Sequence, residues 1–176
     1  MISASGLLPI ANIQLFLKSN MNKEIQYIIK LLQAVYDGNP WYGRNIIQIC
    51  SEINATTALR KPNEQHSILE LLYHMITWRE FIISRLQAGS DKTMKYFEEN
   101  DWRKLDHSDE SLWDKGLKLF EDTQMLLVRL LDNLNDEILK QQVAEREYNY
   151  RALLHGIIQH DIYHLGQIAY AKKLLN

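Results

Sequence analysis

Three histidines carry the most specific chemistry that the residue types of this chain allow. His160 and His164 stand four apart in the run GIIQHDIYHLGQIAY, and His74 lies far upstream in LELLYHMITWRE. Side chains four apart in a helix differ by only about 40° around its axis, so the pair projects from one face toward one point. Two imidazoles so placed, joined by a third from a neighbouring helix, suit a transition metal with open coordination positions.

Helical phasing puts all three in apolar stripes. His160 and His164 share a face with Leu153, Ile157, Ile168 and Ala171, and His74 shares one with Leu71, Trp78 and Phe81. One buried neutral histidine readily finds a hydrogen bond. Three on facing stripes need three sets of polar partners in one core, and a shared metal satisfies them together. The other histidines are weaker candidates. His155 lies about 180° round the helix from His164, His66 precedes a helix start, and His107 sits in a polar loop.

Other metal signatures do not fit. A zincin needs H-E-x-x-H with its glutamate as base, and this chain reads His160-Asp161-Ile162-Tyr163-His164. None of the twelve residues after His164 is His, Asp or Glu, so the usual downstream third ligand is missing. A di-iron bundle needs E-x-x-H from two helices, and no such pair occurs. What remains is a three-histidine site with one to three open positions, suited to Zn²⁺, Ni²⁺ or Fe²⁺. An open metal there lowers the pKa of bound water or binds a thiolate. Asp161 reads either as the partner that orients an imidazole or as a solvated carboxylate. Gln167, Tyr163 and Glu70 are equally divided between substrate contacts and bundle hydrogen bonds. Trp41, Tyr42 and Trp102 are candidates for a pocket mouth or for packing anchors.

The elements that must position these residues are helices. Apolar periodicity predicts one from about Met21 to Tyr36, stopped by DGNPWYG, and a shorter run from Arg44 to Thr56. A second long helix opens at an S-x-x-E capping box, Ser67 to Glu70, and ends at Gly89. A polar connector without periodicity, 90–108, leads to a third helix over 109–134. A fourth runs from Tyr150 to Leu174, with Lys172 and Lys173 in its last turn. No alternating strand pattern, repeat or low-complexity tract interrupts them. Four long helices with one apolar stripe each specify an all-α four-helix bundle, and the long connectors leave room for a crossover.

Composition narrows the function class. The chain has 176 residues, 46% of them hydrophobic and 24% charged, with a net charge of −2. That balance advertises no nucleic-acid partner and no anionic membrane surface. The single cysteine, Cys50, excludes an internal disulfide, fits a reducing compartment and reads as a small core residue. No stretch is long and apolar enough to span a bilayer. The first 17 residues lack a basic n-region, contain Pro9 and show no cleavage site, so residues 1–20 read as an N-terminal extension of a domain over 21–176. A cytoplasmic location follows by elimination.

At these residues the chain resembles the DinB-like superfamily of four-helix proteins. The matching segments are DGNPWYG, HSILELLYHMITWRE and YRALLHGIIQHDIYHLGQIAYAKKLL, and H-x-x-x-H-x-G-Q is the most specific motif among them. The resemblance implies an up-down-down-up bundle, often a homodimer, with a divalent metal at one end held by His74, His160 and His164. It also implies thiol-transferring or metal-dependent hydrolytic chemistry, although the fold is shared more widely than any one activity. The expectation is therefore a metal-dependent enzyme that activates a low-molecular-weight thiol or water against a small-molecule electrophile. The competing expectation is a metal-stabilised, stress-related binding module.

Overall fold

The computed structural model describes residues 22–87 and 89–175. The expected extension over 1–20 lies outside them. The described residues form helices and turns, with one isolated bridge between Gln142 and Asn149.

Helix α1 spans Lys23–Tyr36 and buries Ile25, Ile28, Ile29, Leu32 and Val35 along one stripe. Its Asn22 makes no side-chain cap. Instead the backbone N–H groups of Glu24 and Ile25 donate to the carboxylate of Asp136 at 3.2 and 3.0 Å. A distant acid thus does the work of a local cap, at the end of the helix where anions are favoured. The expected run over 44–56 divides in two, α2 at Ile46–Cys50 and α3 at Ala55–Leu59. The reason is a second cap: Asn45 opens the first piece, and Asn54 accepts from Thr57 N–H to open the next.

Helix α4, Ile68–Leu86, starts in the expected capping box. Ser67 Oγ accepts from Glu70 N–H at 3.1 Å, while Glu70 Oε2 accepts from Ser67 N–H at 2.8 Å. It is buried on nearly every side, because it packs against α3, α6 and α7 and carries the connector on its remaining face. That connector is not featureless. It contains a short helix α5, Met94–Glu99, which buries only Met94 and Phe97 and is too short to show a period. Helix α6 covers Ser111–Asp132, a 3₁₀ turn follows at Asp136–Lys140, and α7 runs from Tyr150 to Leu175.

Polar contacts between helix ends fix their directions. Arg151 at the start of α7 pairs with Glu24 at the start of α1, at 2.5 Å. Tyr150, also at the start of α7, donates to Arg85 O at the end of α4 at 2.5 Å. Tyr73 near the start of α4 donates to Leu112 O near the start of α6 at 3.2 Å. So α1 and α7 run one way, and α4 and α6 run the other. Both α1 and α4 pack against α6 and α7, which sets α1 and α4 at opposite corners of the bundle. Among the described residues no helix is long and apolar enough to cross a membrane.

Candidate metal centre

The bundle brings the three sequence-selected histidines together. His74 comes from the second turn of α4, and His160 and His164 from successive turns of the middle of α7. One ligating nitrogen from each lies within 4.8 Å of the other two. His74 and His164 are buried, while His160 is partly open.

Hydrogen bonds on the far side of two rings decide which nitrogens face inward. His74 Nδ1 lies 3.1 Å from both the backbone carbonyl and the Oδ1 of Asp101. His164 Nδ1 lies 2.5 Å from Gln167 Oε1. Each Nδ1–H therefore has an acceptor, which leaves the lone pair of each Nε2 free for the centre. His74 Nε2 and His160 Nε2 are 3.0 Å apart. Two imidazole nitrogens sharing one metal at about 2.0–2.1 Å stand roughly 2.9 Å apart at a right angle and 3.3 Å apart at a tetrahedral one. The donor set and spacing fit a divalent transition metal, and the cluster contains no fourth protein ligand among the described residues.

Burial holds the His74 and His164 rings neutral. It pushes the His164 pKa down to about 4, and the neighbouring His160 and His74 act in the same direction. Burial also lowers His74, against the opposing pull of Asp101. Neutral imidazole is the ligating form.

Asp161 is fully buried rather than solvated. Its Oδ2 accepts from Arg79 Nε at 3.1 Å and Nη2 at 2.7 Å, and Arg79 Nη1 donates to Gln124 Oε1 at 2.6 Å. Its other oxygen, Oδ1, has no hydrogen-bond partner, and neither does the buried Nδ1 of His160. These two atoms lie 4.0 Å apart. His160 thus differs from the other two imidazoles in lacking an outer acceptor within hydrogen-bond distance, the Asp161 carboxylate standing just beyond it.

The connector supplies Trp102, one of the expected pocket-mouth candidates, and Asp101, which sequence reasoning missed. Trp102 is sandwiched between His66, with ring centroids 3.6 Å apart, and His74, at 4.2 Å. Asp101 Oδ1 also accepts from Trp78 Nε1 at 2.6 Å, which ties the connector to α4. His66, discounted from sequence, is therefore stacked into the wall of the site through Trp102. His107 pairs with Glu70 at 3.5 Å, away from the cluster, so Glu70 serves the helix cap and its surroundings. Trp41 is wholly exposed. Cys50 is buried in the core, where burial pushes its thiol up to about 12.

A cavity of about 510 Å³ opens beside the centre, lined by His164, Gln167, Tyr163, Trp102 and His66 among others. Gln167 Nε2 donates to Tyr163 OH at 3.3 Å, so one glutamine spans from the ligand ring to an exposed phenol. An all-α bundle with an inward-facing histidine triad beside a cavity defines a helical-bundle protein with a candidate metal site. The chain belongs to the DinB family, whose model matches residues 21–175. No curated protein and no solved structure matches it.

Proposed function

We propose that this chain is a metal-dependent enzyme in which His74, His160 and His164 hold one divalent ion, zinc, nickel or iron, at the floor of a substrate cavity. The observation that carries the reading is the convergence of three imidazoles, two of them with their Nδ1 engaged by outer acceptors, on a point with no fourth protein ligand among the described residues. A structural metal is usually closed by four side chains, whereas a catalytic one keeps a position free. Bound there, the metal supplies Lewis acidity that lowers the pKa of a thiol or water.

Transfer of a low-molecular-weight thiol to a small electrophile is favoured over hydrolysis. Among the described residues no Asp or Glu joins the histidine cluster, and the two nearby carboxylates, Asp101 and Asp161, lie against the outer Nδ1 of His74 and His160 rather than at the centre where a base for water would stand. A thiol needs less help, since its own pKa starts near 8.5. The residues around the cavity have separable tasks. Gln167 holds the His164 ring and reaches Tyr163, whose hydroxyl faces solvent and can meet an incoming thiol. Trp102 covers the His74 ring and keeps water from one side of the centre.

We further take the domain to be residues 21–176 with 1–20 as an extension, and the protein to be a cytoplasmic homodimer.

Two measurements test the reading. Metal analysis of protein purified without a histidine tag should find close to one ion per chain in the wild type and little in His160→Ala. Equal content in both would remove the ligand assignment. Metal-loaded wild type should then conjugate one or more small thiols to a panel of electrophiles, with loss of turnover on chelation. Full metal content without turnover would favour the non-catalytic binding module.

A further inference from the structure

A second cavity, of about 330 Å³, lies between α4 and α7 and meets the histidine cluster from another side. Its walls are Trp78, Phe81 and Ile82 from α4 and Leu153, Gly156 and Ile157 from α7. His160 bounds it toward the metal centre, and Ala152 and Tyr148 extend it toward the start of α7. The stretch from Ala152 to His160 is about 12 Å long at the helical rise of about 1.5 Å per residue. The walls are almost entirely apolar, and the one indole nitrogen among them is engaged by Asp101. Gly156 deepens the cavity, because a Cβ added there would meet nothing within 4 Å.

Beside the far end, behind two of the rings that line it rather than among the lining residues, stands a cation with no carboxylate partner among the described residues. The Arg146 guanidinium lies 5.7 Å from the Phe81 ring and 5.9 Å from the Tyr148 ring, both of which line the cavity. Its Nε is buried and has no hydrogen-bond partner, and no carboxylate pairs with it among the described residues. Arg85, over the same Phe81 ring, also leaves a buried Nε without a partner, and the two differ in charge balance: Glu145 neutralises Arg85 at 2.7 Å. A buried donor with no acceptor is costly, and an anionic ligand would supply the acceptor.

We propose that the α4–α7 cavity binds an elongated apolar acid. Its carboxylate sits at Arg146, its hydrocarbon or aryl body over Gly156 and Ile157, and its distal end at His160. The cavity has the size and apolar lining of a small-molecule site with one orienting charge. The proposal rests on the reading above only in making such an acid the substrate of the metal centre.

Decanoate is the probe, titrated calorimetrically into the full-length protein both metal-loaded and chelator-treated, with decanol as the neutral control. Decanoate should bind both forms. Arg146→Gln should weaken it about tenfold or more, the scale of a charge-assisted contact, while leaving decanol unchanged. Gly156→Leu, and Ala152→Trp as an independent filling of the same space, should weaken both ligands and leave metal content intact. The proposal is overturned if decanoate binds neither form, if both filling variants bind it normally, or if Arg146→Gln does. Decanoate binding that obeys these variants in a protein without turnover supports the cavity and removes the catalytic reading. Turnover that ignores all three variants does the opposite.

Discussion

Arg79 and Asp161 place a full ion pair where water does not reach. Both side chains are completely buried, and the guanidinium also lies 4.2 Å over the Phe120 ring. Two charges in such a place contribute little net stability, but losing one strands the other. Arg79→Met should therefore destabilise the protein by about 3–5 kcal/mol in urea unfolding. Asp161→Asn keeps the shape and an acceptor for Arg79, but removes the negative charge 4.0 Å from His160 Nδ1. Its metal affinity should fall by roughly 10–100-fold with a smaller loss of stability. Unchanged affinity would confine Asp161 to the fold. His164 gives a pH signature in the metal-free protein. Its folded pKa of about 4 lies below the ordinary 6.5, so above pH 6.5 neither state binds the proton. As pH falls from 6.5 to about 4 the unfolded chain takes up a proton that the folded one refuses. Stability then drops, by at most about 1.4 kcal/mol per pH unit for one imidazole. Urea melts of chelated protein at pH 7 and pH 5 should show the drop, and His164→Gln should reduce it.

At the scale of elements, two glycines inside long helices behave oppositely. A Cβ on Gly116 of α6 would stand 2.8 Å from Tyr73 Cε2 and 3.0 Å from Leu72 Cδ2, and Tyr73 is pinned by its hydroxyl to Leu112 O. Gly116→Val should cost about 1–3 kcal/mol by overpacking. Gly156→Ala meets nothing and should stabilise by about 0.5–1 kcal/mol, the helix propensity it recovers. Chemical denaturation of the two variants checks both signs. What the sequence revealed was local. The His160–His164 spacing, the Ser67–Glu70 box and the stripes of α1 and α7 are each written within a few turns of helix. His74 became readable because its own stripe fixes its face. Trp102 was readable as a candidate for a pocket mouth, which it lines, but its stacking on His74 and the role of Asp101 were not, since a connector without a period says nothing of which helix it lies against. The Arg79–Asp161 pair joins residues 82 apart, and no pattern in either helix announces it. The Asp136 cap on α1 escaped for the same reason, its partner being 112 positions away.

For the whole molecule, the histidine centre is a clasp between α4 and α7. A ligand that binds only the folded chain stabilises it by mass action, by about 2.7 kcal/mol at a hundred times its Kd. Chelation should lower the melting temperature of the wild type, and added metal should restore it in a concentration-dependent way. His160→Ala should respond to neither. The connector completes the clasp, because Asp101 and Trp102 fix it to α4 at the metal-facing turn.

Trp102 has one more consequence. Of the four tryptophans in the chain, it is the one whose ring lies face to face with a histidine of the triad. Its excited state is within contact range of whatever His74 binds, so a paramagnetic ion such as Ni²⁺ should dim the emission while diamagnetic Zn²⁺ should not. For the proposed ion the protein thus carries a built-in optical gauge, one that Trp102→Phe would silence while leaving all three histidines in place.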